Sequence, residues 1–141
     1  MSVFKKVTAK ALDEKVDMKI LEKSLGELNL SLDGTTRVVQ NAYGHASVDY
    51  AIVNNGKVTS LGFKKNNKGG LELEGDPFGA RIKDRFGNTI FDGQHQEIMN
   101  AISQLYQKNL MVYNLRKNGW DVKVSNSIKN KKEIVLNCEI C

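Results

Sequence analysis

The chain has 141 residues, which suits a single domain, and its 40% of hydrophobic and 26% of charged residues are ordinary for a globular protein. No apolar run approaches the roughly 20 residues that span a bilayer, and the first residues lack the apolar core of a secretory signal. We therefore expect a cytoplasmic protein without a membrane segment. The net charge of +5 excludes little, because it suits phosphate backbones, an acidic protein surface or solubility alone.

The first part of the chain predicts a strand followed by an amphipathic helix. Residues Val3–Ala11 alternate in polarity as a strand does. Asp17 then has the side chain of a helix N-cap, and the helix should end near Asn29. Its apolar positions recur at helical spacing: Met18, Leu21, Leu25 and Leu28.

The middle of the chain predicts strands joined by tight turns. Turn signals stand at Asp33-Gly34, at Asn54-Asn55-Gly56 and at Asp76-Pro77. Residues 64–70 read as a polar loop, and residues 79–93 as a small inserted hairpin that turns at Phe86–Thr89. The strands are expected over these ranges: Thr35–Gln40, Val48–Val53, Val58–Phe63 and Leu71–Leu73.

The last third predicts a long amphipathic helix and a second hairpin. The helix should run from Gln94 to Lys117, followed by a C-terminal cap at Asn118-Gly119. Its apolar stripe is Met99, Ile102, Tyr106, Leu110 and Tyr113. Both tyrosines are expected to pack in the core with the hydroxyl at the surface. Apolar residues then alternate in two strands, one beginning at Trp120 and one centred on Leu136.

This order of elements predicts one α+β domain over residues 1–141. The strands come in clusters joined by short turns, so the sheet should be mainly antiparallel. Each of the two amphipathic helices has one apolar face to bury, so we expect both helices to pack on one face of the sheet.

A series of short segments, taken in chain order, matches the motifs of one family: Met1–Ala9, Leu21–Leu28, Asp49–Ile52, Gly62-Phe63, Leu71–Phe78, Gln104–Asn109 and Gly119–Val122. In these segments the chain resembles the domain of unknown function 1257, small proteins of cyanobacteria, algal plastids, other bacteria and phages. It departs from the family at residues 79–93, which look like an insertion, and at Asn130–Glu133, where the family tends to Asp-Gly. The resemblance implies a small non-enzymatic cytosolic protein and brings no catalytic residues.

A zinc site is the sharpest chemical alternative. Cys138 and Cys141, together with His45 and His95, would supply the four donors of a tetrahedral site. The spacings fit no standard zinc finger, and positions three apart on a strand point to opposite faces. We expect structural or incidental cysteines and no metal or other cofactor, with a metal site and redox chemistry as the alternatives.

The sequence contains no clear catalytic constellation, so we expect no enzyme. His95 has no Ser or Cys with a supporting carboxylate placed near it by sequence. The phosphate-binding glycine motifs are also absent. An enzyme would need a carboxylate set such as Asp49, Glu72 and Asp76 to converge in a cleft.

The basic residues are the best candidates for partner or nucleic-acid binding. The candidate residues are Lys64, Lys65 and Lys68; Arg81, Lys83 and Arg85 with Phe86; and Lys129, Lys131 and Lys132. Alternate positions such as Arg81, Lys83 and Arg85 would project from one side of a hairpin. Phe78, Phe86 and Phe91 could stack on bases or anchor in a protein pocket. The alternative is a solvated rim with the phenylalanines buried.

Two hypotheses follow. The first is a non-catalytic binding module, an adaptor or an inhibitor, that docks on a larger cytosolic protein or nucleoprotein complex through residues 79–93 and the neighbouring basic loops. Because the family that it resembles has phage members, a phage-encoded antagonist of host defence is a special case. The second is a protein that binds nucleic acid directly through the same basic surface. The sequence leaves the oligomeric state open.

Overall fold

The computed structural model of the protein describes residues 5–41, 44–75, 81–92, 95–119, 122–130 and 133–140. The helices are a short 3-10 helix (Lys10–Leu12), α1 (Met18–Glu27) and α2 (His95–Lys117). The strands are β1 (Lys5–Val7), β2 (Leu30–Asp33), β3 (Val38–Asn41), β4 (Gly44–Ser47), β5 (Tyr50–Asn54), β6 (Lys57–Lys65), β7 (Leu71–Gly75), β8 (Arg81–Lys83), β9 (Thr89–Asp92), β10 (Val122–Asn130) and β11 (Glu133–Ile140).

A five-stranded antiparallel sheet forms the centre of the fold, in the order β1-β7-β6-β5-β2. The turn between β5 and β6 is the one predicted from sequence. Asn55 and Gly56 have positive φ, 51° and 76°, as a tight hairpin turn with right-handed strand twist requires. Lys64 on β6 lies opposite Glu72 on β7, so cross-strand charges of opposite sign are neighbours there.

Both helices pack on one face of this sheet, so the predicted α+β class and helix placement are confirmed. One apolar cluster contains fully buried side chains from both helices and from the sheet: Leu21, Leu25, Met99, Ile102, Phe63 and Leu73. Burial of each such side chain stabilises the fold by about 1.5–3 kcal/mol. The helices are therefore held by the same core that holds β6 and β7.

Asp17 begins α1, as its sequence position predicts. Its carboxylate accepts hydrogen bonds from the backbone N–H groups of Lys19 (3.0 Å) and Ile20 (3.3 Å), which would otherwise lack a partner in the first turn. The Asp17 N–H donates to the Tyr106 hydroxyl on α2 at 2.9 Å. The start of α1 is thus tied to α2.

A polar network crosses the buried contact between the two helices. Lys108, only 5% exposed, donates from Nζ to Glu27 Oε1 at 2.8 Å. Asn109 donates from Nδ2 to Ser24 Oγ (2.9 Å) and to Glu27 Oε2 (2.8 Å). A buried charge without a partner is strongly unfavourable. The network therefore favours one alignment of α1 against α2.

The opposite face of the sheet is covered by the β3–β4 hairpin. Val39, Val48 and Ala51 form a second, smaller buried cluster there. Gly62 faces Val48 so closely that a Cβ on it would lie 2.5 Å from Val48 Cγ1. The turn that precedes the hairpin is fixed by the Asp33 carboxylate. Hydrogen bonds from the Thr35 hydroxyl and then the Thr36 hydroxyl lower the pKa of Asp33 to about 2.

Several predicted elements differ from the structure. Residues 10 and 11 belong to the 3-10 helix and not to the first strand, while residues 1–4 lie outside the described ranges. Strands β2 and β4 were not predicted, and the strand expected at Thr35–Gln40 forms only from Val38. Lys64 and Lys65 continue β6 and are not loop residues. The turn expected at Asp76-Pro77 lies outside the described residues.

The C-terminal part agrees with its prediction. Gly119 has a φ of 89°, which suits the cap that ends α2. β10 and β11 pair antiparallel, with Val122 opposite Ile140, and lie against α2. Trp120 falls outside the described residues. Among the helices that the structure describes, none combines the length and the apolar character needed to cross a bilayer.

Candidate functional site

The β8–β9 hairpin within residues 79–93 is present, as predicted. Ile82 on β8 lies opposite Phe91 on β9, and both side chains are buried in the main core. Phe91 is only 4% exposed, so it is a buried core residue, as the alternative hypothesis expects. It cannot stack on a base or enter a pocket of a partner. Phe78 lies outside the described residues. The hairpin is therefore part of the core and not a loose appendage.

Asn54 joins this hairpin to the central sheet. Its side chain is buried, and its Nδ2 donates to the carbonyls of Lys83 (2.8 Å) and Asn29 (3.0 Å). Its Oδ1 accepts from the Lys83 N–H at 2.9 Å. The amide thus pairs with both backbone groups of Lys83, as a neighbouring strand would.

Two more asparagines complete this junction. Asn29 donates from Nδ2 to the Lys83 carbonyl (2.9 Å) and to Asn55 Oδ1 (2.6 Å). Asn55 donates from Nδ2 to the Asp84 carbonyl at 3.0 Å. From sequence, Asn29 and Asn55 are only a helix end and a turn residue. Their role was missed because their partners are distant along the chain.

The turn between β8 and β9 is held by Asp84. Its carboxylate accepts hydrogen bonds from the backbone N–H groups of Asn88 (2.9 Å) and Phe86 (2.8 Å). These bonds, led by the one from Asn88, keep the pKa of the Asp84 carboxyl below its ordinary value of 3.8, although desolvation opposes them. Asp84 is therefore ionised at neutral pH and holds residues 84–88 in one shape.

Phe86 stands on this fixed turn with 79% of its surface exposed. The guanidinium of Arg85 lies 5.5 Å from the centre of the Phe86 ring, within cation–π range. Beside the ring is a cleft of about 390 Å³ between the turn and the C-terminal end of α1, where Gly26 and Ile90 line its walls. We call Arg85, Phe86 and this cleft the hairpin tip. It offers an aromatic anchor and a hollow side by side.

The charge of the hairpin is more balanced than its cations suggest. Arg81 Nε lies 3.2 Å from Asp92 Oδ1 across the two strands, and both side chains are mostly exposed. Asp84 sits between the exposed residues Lys83 and Arg85. Two carboxylates therefore offset two of the three cations that the sequence singles out. The hairpin is only weakly basic.

The other basic groups lie elsewhere. Lys65 Nζ is 5.3 Å from the centre of the Tyr50 ring, and Lys68 Nζ lies 3.9 Å from Glu14 Oε1. Lys64 is exposed at the same end of β6. The hairpin docks near the opposite end, roughly 25 Å away for the eight steps from Lys57 to Lys65.

The structure therefore does not bring Lys64, Lys65 and Lys68 together with the hairpin. Of the third predicted group, Lys129 belongs to β10, but its side chain is not described. Lys131 and Lys132 lie outside the described residues.

The predicted acidic residues are engaged separately. Asp49 accepts a hydrogen bond from the Lys65 N–H (2.7 Å) and pairs with Arg37 (3.4 Å). Glu72 pairs with Lys6 at 3.1 Å. Asp76 lies outside the described residues. The arrangement of the two described acids is that of surface ion pairs.

The residues considered for zinc are also distributed over different elements. His45 is exposed on β4, His95 begins α2, and Cys138 lies on β11 opposite Val124. Cys141 is outside the described ranges. Within those ranges, no group of three or more His, Cys, Asp or Glu residues is placed to hold a metal ion.

Comparison with known proteins adds no relative. No protein-family model, no curated protein and no solved structure matches the chain significantly. The resemblance to the domain of unknown function 1257 thus remains an inference from short segments.

Proposed function

We propose that the protein is a non-catalytic binding module that docks on a larger protein or nucleoprotein complex through the hairpin tip. One observation carries this proposal: a phenylalanine that is 79% exposed stands on a turn that is fixed by hydrogen bonds. Exposed apolar residues are common on protein surfaces. This one combines exposure with a fixed position, a neighbouring arginine and an adjacent cleft.

The physical argument concerns preorganisation. Binding is weakened when side chains and loops must be ordered at the interface. The three asparagines at the junction and Asp84 at the turn order the hairpin tip before any partner arrives. Aromatic and arginine side chains are also the residues that most often dominate interface energies. A fixed Arg85–Phe86 pair is therefore well suited to enter a pocket of a partner.

The charge distribution favours a protein surface over a nucleic-acid backbone as the target. Tight binding to phosphates requires several unpaired cations along one track. On the hairpin, Arg81 pairs with Asp92, and Lys83 and Arg85 flank the ionised Asp84. The cations near Lys65 lie at the other end of the sheet. An adaptor and an inhibitor both fit this surface, and only the family resemblance points to a phage antagonist of host defence.

The double substitution Arg85→Ala with Phe86→Ala tests the proposal. Both side chains are exposed, so the thermal unfolding midpoint should stay within a few degrees of the wild type. In affinity capture from native cells with quantitative mass spectrometry, the yield of the specific partner should fall at least about tenfold, since anchor residues are worth about 2 kcal/mol or more. Val58→Ala, at another exposed apolar position, is the matched control and should retain the partner.

Direct nucleic-acid binding is the alternative, and it predicts a different result. Binding to random DNA or RNA would then weaken steeply between low and physiological salt. Replacing Arg81, Lys83 and Arg85 with alanine would reduce that salt dependence, while Phe86→Ala alone would not. Such a result, with nuclease-sensitive capture in cells, would replace the proposed function by the alternative.

A further inference from the structure

A second groove lies between the two helices, away from the hairpin tip. It has a volume of about 570 Å³ and lies between the N-terminal half of α1 and the C-terminal half of α2. Its apolar lining includes Ile20 from α1 with Val112 and Tyr113 from α2. We call it the helix groove. The cleft at the hairpin tip lies against the opposite end of α1, so the two surfaces are separate.

The rims of the helix groove carry positive charge on both sides. Lys19 and Lys23 stand one helical turn apart on α1, and Lys117 lines the groove from α2, next to Arg116, which is engaged in an interaction of its own. The acidic lining residue is Asp17, whose carboxylate is engaged by two backbone N–H groups at the start of α1. Three lysines, Lys19, Lys23 and Lys117, therefore stand around an apolar floor.

Tyr113 shows that the groove is open where the sequence predicts core. This residue continues the apolar stripe of α2, and both tyrosines of the stripe were expected to be buried. Tyr106 is buried, but Tyr113 is 50% exposed, so the prediction is wrong for Tyr113. The reason is the difference in helix length. α2 has 23 residues and α1 has only 10, so α1 does not cover the C-terminal end of the apolar stripe of α2. Lys117 Nζ lies 6.0 Å from the centre of the Tyr113 ring, at the limit of a cation–π contact.

We propose that the helix groove binds an acidic amphipathic helix of a partner protein. A groove between two helices accepts the apolar face of a third helix, whose anchors recur at three- and four-residue spacing. The lining on α2 runs from Asn109 to Lys117, which is about 12 Å or roughly two helical turns. Cations on both rims complement carboxylates on both flanks of such a helix. The surface is distinct from the hairpin tip, so this proposal does not depend on the proposed function.

The test uses the full chain and a labelled synthetic helix of about 14 residues, with leucine on one face and glutamate on its flanks. A second peptide carries glutamine in place of every glutamate. Fluorescence anisotropy should show saturable binding of the acidic peptide and at least about tenfold weaker binding of the glutamine peptide. The double substitution Lys23→Glu with Lys117→Glu should also weaken binding of the acidic peptide, by at least about tenfold.

Two control variants and one further variant of the groove complete the test. Lys57→Glu makes the same lysine-to-glutamate change on β6, away from the helix groove, and should leave the affinity for the acidic peptide unchanged. Phe86→Ala should also leave it unchanged, which separates this groove from the hairpin tip. Tyr113→Ala should weaken the binding of both peptides, because the Tyr113 ring forms part of the apolar floor of the helix groove.

The idea is overturned if the acidic and glutamine peptides bind equally, or if neither binds. It is also overturned if decanoate, an amphiphilic anion, competes at the peptide's own concentration, since a small ligand would then be the better occupant. If the protein self-associates and the double substitution Lys23→Glu with Lys117→Glu abolishes this, a second copy of the chain, and not a partner helix, occupies the helix groove.

Discussion

Replacing Asn54 with alanine is expected to lower the free energy of unfolding by about 2 kcal/mol, because three part-buried backbone groups each lose a hydrogen bond to its side chain at about 1 kcal/mol each, although the Lys83 carbonyl keeps its bond from Asn29 Nδ2. These groups are the Lys83 N–H, the Lys83 carbonyl and the Asn29 carbonyl. The loss should appear in urea unfolding as a lower midpoint with little change in slope. Hydrogen exchange at Ile82 and Phe91 should accelerate, because the hairpin opens more often.

Asn55→Gly is the matched control for this prediction. Glycine tolerates the positive φ of position 55, so the turn keeps its conformation while the exposed Asn55 side chain and its two solvent-accessible hydrogen bonds are removed. We expect a change of about 1 kcal/mol or less. If Asn54→Ala were no more destabilising than Asn55→Gly, the hairpin would not be anchored through Asn54, and the preorganisation of the hairpin tip would lose its main support.

The second large effect is expected at Gly62. A Cβ at this position would lie 2.5 Å from Val48 Cγ1 and 2.9 Å from the Tyr50 carbonyl oxygen. Real Cβ atoms do not approach this closely, so Gly62→Ala must push Val48, in the segment between β4 and β5, away from the sheet. Overpacking of this kind costs about 1–3 kcal/mol, and the contact with backbone places Gly62 at the upper end.

Gly26→Ala is expected to raise the free energy of unfolding, in contrast to Gly62→Ala. Gly26 lies in α1, and a Cβ there meets nothing within 4 Å. The substitution is expected to stabilise the protein by about 1 kcal/mol, since alanine favours a helix interior more than glycine does. Thermal or urea unfolding of the two variants, compared with the wild type, measures the decrease in stability for one and the increase for the other. A neutral Gly62→Ala would show that the β3–β4 hairpin does not lie directly on the sheet.

The parts of the fold that follow from sequence are those with a local cause. Asp17 caps a helix with its own side chain, and Asn55-Gly56 adopts the φ values that its turn requires. Met99, Ile102 and Tyr106 of the apolar stripe of α2 are buried as their spacing predicts, although Tyr113 at its end is not. In each case the residues that determine the structure are neighbours in the chain.

The missed features have distant causes. β2 is only four residues long and follows α1 at once, so its strand character comes from pairing with β5. Asn54 looks like a turn residue until Lys83 is placed beside it. Ile82 and Phe91 are buried while Phe86 is exposed, a difference that depends on which side of the hairpin meets the core. Sequence reasoning could have paired Ile82 with Phe91 across the strands, but it gave no sign of the core beneath them.

Photo-cross-linking from position 86 shows which molecule the hairpin tip contacts in the cell. Phe86 would be replaced by p-benzoylphenylalanine, which keeps the aromatic ring at the exposed site, and cells would be irradiated before denaturing purification. We expect one dominant protein cross-link from position 86 and none from the same residue placed at Val58, another exposed apolar position. Cross-links chiefly to nucleic acid, or equal labelling from both positions, would show that the protein does not dock on a partner protein through Phe86.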